Sequence, residues 1–233
     1  MKKTKITSII AMIIFILALL LNTSSELLFY ISGAAQGWTI NYAENILVYT
    51  LPDLIGILAL IIGVRLAAGN KLTFIYPAGF AVLALAALVA LILHIISMVG
   101  YFSYADGFTY AYLVRYVFLF LAYLLLALDG FLLLRNKVMG IIGAVLLFLT
   151  ATVFLSITSV SNFSGMSSFT AVENIISAVE TWAYYAAIQL VAVGALIYAI
   201  GRQPRIPRSA PNPPHVYPPY NYQPPYNGGH TSR

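Results

Sequence analysis

Cysteine is absent from this 233-residue chain, which excludes disulfides, thiol catalysis, thiolate metal sites and S-palmitoylation. Charge is almost as scarce. Charged residues make up 8% of the sequence, against about 25% in soluble domains, so the chain cannot cover a water-facing surface. Two of its three histidines, His215 and His230, lie near the C-terminus, which leaves little material for a metal site. There is no HExxH zinc helix and no Gly-rich phosphate loop. These exclusions lead us to expect a non-enzymatic protein without a cofactor.

What the chain has is apolar length. Hydrophobic residues reach 61% and the mean hydropathy is +0.89. Long apolar runs recur at 6–21, 46–68, 74–99, 111–134, 138–160 and 181–200. A membrane span needs about 20 such residues, and a backbone in lipid must satisfy its own hydrogen bonds, which selects helices. The roughly ten-residue alternation of an outer-membrane barrel strand is missing. The sequence therefore predicts an all-α integral membrane protein. Residues 1–201 form a six-helix transmembrane bundle with short loops, and 202–233 a separate tail.

The scarce charges set an orientation. Lys2, Lys3 and Lys5 precede the first run, Arg65 and Lys71 flank the second connection, and Arg135 and Lys137 the fourth. Arg202, Arg205 and Arg208 follow the last run, and eleven of the twelve basic residues fall on one side. The other connections carry Glu26, Glu44, Asp106, Glu173 and Glu180. Lys and Arg near span ends stay cytoplasmic, so both termini are expected inside, in the cell membrane of a bacterium. The formal charge of +5 is spread over helix ends and tail, where orientation and anionic lipid explain it. No nucleic-acid partner is expected.

Lys2–Lys5 followed by the short run Ile6–Leu21 has the outline of a signal peptide. Asn22-Thr23-Ser24-Ser25 offers no Ala-x-Ala cleavage pattern, so a retained span is expected. Pro52 sits near the start of the second run and places the first regular helical turn there. The turns at 66–73 and 135–137 are so short that spans two and three, and four and five, should pack as antiparallel neighbours. Gly63, Gly130 and Gly194 recur six to eight residues before a basic or amide residue, a pattern that inside turns produce without any repeat.

Ionisable residues within apolar runs are costly and mark candidate sites. Asp53, His94 and Arg115 fall at similar depth in the outer half of their spans. Together they form a candidate polar cluster, proton-linked or anion-binding. The blander alternative has Arg115 snorkelling to the surface, Asp53 capping a helix and His94 bonded to a backbone carbonyl. In the inner half, Asp129 near a helix C-terminus wants a partner, and Arg65 at comparable depth is the candidate. Ten of seventeen tyrosines lie at or beyond the outer boundary, with Trp38 and Trp182. They form an interfacial belt or an aromatic cup for an apolar or cationic ligand.

A rhomboid-type serine protease would also have six spans. Gly165-Met166-Ser167-Ser168 lacks that family's closing Gly, and no His follows in the last span. Asp129-Gly130 follows Leu128 and so misses the Gly-x-Gly-Asp of intramembrane aspartyl proteases. The tail, by contrast, holds nine of the eleven prolines and is expected to be disordered with polyproline II bias. Pro204-x-x-Pro207, and the near-repeats Pro218-Pro219-Tyr220 and Pro224-Pro225-Tyr226, suit docking onto an aromatic groove. Two function classes follow. One is an association or scaffold protein whose tail binds a cytoplasmic partner; the other is a small transporter or channel component using the polar cluster. The partners to expect are the lipid bilayer, a cytoplasmic protein at the tail and a second copy of the chain.

Overall fold

The computed structural model describes residues 2–35, 45–68, 73–100, 107–132, 137–164 and 171–201. Apart from turns at 73–74, 132 and 137 they are helical, and no strand occurs among them. The tail, with the docking prolines and tyrosines from Pro204 to Tyr226, lies outside the described residues, as do Trp38, Glu44, Tyr101, Tyr104 and Asp106. Helix α1 is Lys2–Ala35. A π-helical segment, Ile46–Thr50, runs into α2, Leu51–Ala68. Then follow α3 (Ile75–Gly100), α4 (Gly107–Phe131), α5 (Val138–Ser164) and α6 (Ala171–Gly201). All six helices are long and apolar enough to cross a membrane, which makes the fold compatible with a multi-pass membrane protein.

The first helix is longer than its apolar run. It continues through Asn22–Ser25 because the hydroxyls of Thr23 and Ser24 donate to the carbonyls of Leu19 and Leu20, each at 2.8 Å. Polar side chains satisfied on their own helix need not end it. Its 34 residues span about 51 Å at 1.5 Å per residue, so Ser25, Glu26 and Phe29 lie on the helix rather than in a connection.

The helices form a ring. Each packs against its neighbour in the chain, and α6 packs along α1 to close the circle. α1 turns Ala11, Phe15 and Ala18 inward, all fully buried, and leaves Ile6, Ile9, Ile13, Leu17 and Leu20 exposed on its outer face. That spacing of three and four residues is the signature of a one-faced helix. An exposed apolar face repeats on the other five helices, with Ile62, Leu85, Phe118, Leu149 and Val179 among its members.

Glycines set the closest crossings. A Cβ on Gly79 would stand 2.8 Å from the Gly56 carbonyl oxygen, and one on Gly194 would stand 2.7 Å from Phe15 Cε1. Small residues of this kind let apolar helices approach without a hydrophobic driving force. Gly63 and Gly130 have the same use, against Tyr76 and Pro77 respectively. The three glycines singled out in the sequence are therefore contact points between helices.

At the end of the ring where α1 begins, aromatic rings fill the centre. Tyr76 lies 6.4 Å from Phe15, 5.2 Å from Phe80 and 4.3 Å from Tyr198, centroid to centroid. Phe80 in turn lies 6.4 Å from Tyr123. Leu60, Val64, Leu147 and Val191 are fully buried around this column. The opposite end of the ring is built differently.

Candidate functional site

Toward the end where α1 finishes and α2, α4 and α6 begin, the ring encloses a partly open cavity of about 370 Å³. Every helix contributes to its wall. α1 supplies Glu26, the π-helical segment Tyr49, α2 Asp53, α3 Ala87, α4 Arg115 and α5 Thr158; α6 adds Glu180 and Tyr184. The wall thus carries three carboxyl groups and one guanidinium among aromatic and small residues.

The π-helical opening of α2 follows from Pro52. Proline has no N–H to continue an α-helical ladder and its ring crowds the preceding turn. The chain widens there instead, and the Leu51 N–H reaches back five residues to the Ile46 carbonyl. Single π turns of this kind recur at functional sites. This one places Val48 and Tyr49 on the cavity wall and sets Thr50 against α1. Thr50 Oγ1 donates to Glu26 Oε2 at 2.7 Å and lies 2.9 Å from the Tyr30 hydroxyl. A threonine has one hydroxyl proton. With that proton committed to Glu26, Tyr30 is the donor to Thr50. A directed relay from Tyr30 through Thr50 thereby fixes the Glu26 carboxylate.

Arg115 is held from the other side. On α4 the positions 112, 115, 116, 119 and 123 fall on one helical face, and all five line the cavity. The guanidinium carbon sits 5.7 Å from the ring of Tyr112, 5.2 Å from Tyr116, 5.1 Å from Tyr184 and 5.2 Å from Tyr185. Cation–π contacts of this length reach about 2 kcal/mol when desolvated. Nη2 donates to the Tyr184 hydroxyl at 2.9 Å. Nε is buried and has no hydrogen-bond acceptor among the described residues. With 8% of its surface exposed, Arg115 is an interior residue and does not snorkel.

The structure brings Asp53 and Arg115 to the same cavity, within electrostatic reach of each other, while the hydrogen bond of the guanidinium goes to Tyr184. His94 stands beside this group rather than in the wall, with its ring 6.2 Å from Tyr112 and 5.8 Å from Tyr116. Arg65 and Asp129 sit in different surroundings. Arg65 is exposed, whereas Asp129 is buried at 4% exposure, with its Oδ2 in the space that a Cβ on Gly140 would enter. At that same end of the bundle Lys137 Nζ donates to the Ile200 carbonyl at 2.6 Å and holds the last turn of α6.

Glu26 and Glu180 are not site candidates in the sequence, where both fall in connections between apolar runs. The Ser25 hydroxyl donates to the Glu180 carbonyl at 3.0 Å, which sets α1 and α6 level there. Glu26 lies close enough to both Asp53 and Glu180 for mutual repulsion. A signal was present: apolar residues resume at Leu27 and Leu28 directly after Glu26, as they would along a continuing helix. Among the described residues no group of three metal-ligating side chains gathers as a metal site.

Fold and site together define a ring of six apolar helices with a charged cavity in one half and an aromatic column in the other. No protein-family model, curated protein or solved structure matches the chain.

Proposed function

We propose that the protein is a six-span membrane protein of the bacterial cell membrane, with both termini cytoplasmic, that binds a small charged solute in the cavity at its outer end. In this reading it is a binder and not an enzyme. The observation that carries the reading is the cavity itself: about 370 Å³, walled by all six helices and bearing ionisable groups of both signs. Small-molecule sites occupy clefts of about 300–1,000 Å³ with a few convergent polar groups. Ionisable residues inside a span are costly unless they serve a site, and four of them share this one.

The cavity supports binding over conduction. The column of Phe15, Tyr76, Phe80 and Tyr123 fills the ring beyond it, so a solute admitted at the outer end meets a closed floor. Passage would require those rings to part. The inward-facing tail complements the cavity: Pro204, Pro207 and the two Pro-Pro-Tyr segments offer a cytoplasmic partner a polyproline surface. The protein would then report an external solute to an internal partner.

Spin labelling tests the cavity directly, because a chain without cysteine accepts single labels cleanly. Ala87 lies midway along α3 on the cavity wall, and Leu85, 61% exposed, faces outward on the same helix. In lipid nanodiscs a nitroxide at Ala87→Cys is expected to collide with a water-soluble nickel chelate. One at Leu85→Cys should collide mainly with oxygen. If both labels collide only with oxygen, the cavity is not an aqueous site and the reading fails.

A further inference from the structure

We infer that the ligand of this cavity is a zwitterion, whose anionic group binds Arg115 and whose ammonium group binds among Glu26, Asp53 and Glu180. The inference rests on the cavity being the binding site and adds the chemistry of its occupant. Arg115 is a buried cation whose one hydrogen bond among the described residues goes to a neutral phenol. Its Nε has no acceptor among the described residues, and a guanidinium carries five N–H donors in a fork suited to a carboxylate. An interior cation without a contacting anion is costly, and an anion arriving in the cavity removes that cost. The four tyrosine rings hold the guanidinium from its flanks, so it is oriented before a ligand comes.

The carboxylates supply the other half. Glu26 is pinned by the Tyr30–Thr50 relay, on α1, whereas Arg115 belongs to α4. Asp53 and Glu180 line the same cavity, and Glu26 lies close enough to both for mutual repulsion. A simple anion would meet three carboxylates there, and a simple cation would meet Arg115. A molecule with both charges at separate ends finds a partner for each. Amino acids and other ammonium carboxylates are the chemical class that fits.

Thermal unfolding of the full chain in nanodiscs discriminates these cases. The probes are glycine, 4-aminobutyrate and 6-aminohexanoate, which separate the two charges progressively, with propylamine and propionate as single-charge controls. At least one zwitterion is expected to raise the unfolding midpoint at concentrations where neither control does. Arg115→Gln should abolish that shift, and Glu26→Gln should weaken apparent affinity at least tenfold. Should Arg115→Gln fail to fold, Tyr184→Phe keeps the ring and removes the hydroxyl that accepts from the guanidinium. It too should weaken binding of the zwitterion. A control that stabilises as well as any zwitterion, unaffected by Arg115→Gln or Tyr184→Phe, overturns the zwitterion assignment but leaves the solute cavity standing. No shift with any probe also overturns the assignment. The collision measurement at Ala87 decides separately whether the cavity reading itself survives.

Discussion

Gly194 and Arg115 show how single positions hold this ring and its site. A Cβ on Gly194 meets the Phe15 ring, and Phe15 is fully buried between α1 and α6, so Gly194→Val must push the two helices apart. Overpacking of this kind costs about 1–3 kcal/mol. The variant should unfold at a lower midpoint in detergent, and an unchanged midpoint would contradict the crossing. Asp53→Asn probes the site without changing its volume. Solute binding should fall while membrane abundance stays level; reduced abundance with normal binding would make Asp53 a structural residue. At this scale the sequence was partly legible. Asp53 and Arg115 stood out because ionisable residues inside apolar runs are rare. Glu26 and Glu180 did not, because their place in the cavity depends on where α1 ends and how α6 meets it.

Among the elements, α1 has the most to prove. It begins like a signal peptide, yet it closes the ring against α6, buries Phe15 at the centre and carries Glu26 into the cavity. Removal of residues up to Ser25 would take away Ala11, Phe15 and Ala18 and leave α6 without most of its partner. Intact mass spectrometry of the protein purified from membranes should therefore find the first helix present; a species shortened by α1 would contradict its place in the ring. The length of α1 was not legible, since Thr23 and Ser24 resemble a helix stop until their hydroxyls are seen bonded one turn back. Pro52, in contrast, announced the irregular start of the second span. The chain answers it with a π turn over Ile46–Thr50, and that turn aims Thr50 at Glu26.

For the whole molecule, the helical class followed from composition, because so few charges cannot clothe a soluble surface. The neighbours α2 with α3 and α4 with α5 followed from short turns. Closure of α6 on α1 did not, since contact between the first and last helices leaves no mark in local periodicity. The cavity is a product of that closure, which is why a reading helix by helix found two of its charges, Asp53 and Arg115, but not its shape. If the tail relays occupancy of the cavity, deletion of residues 202–233 should leave solute binding intact while abolishing capture of the cytoplasmic partner. Loss of binding on truncation would contradict that division of labour. An external solute can reach the cavity only if the cavity faces outward. Thr181→Cys, on the cavity wall, and Lys137→Cys, in the turn just before α5, can each be challenged in intact cells with a membrane-impermeant maleimide. Labelling of Thr181→Cys from outside, with Lys137→Cys reacting only after permeabilisation, is the expected result. The reverse pattern would turn the cavity toward the cytoplasm and contradict the account.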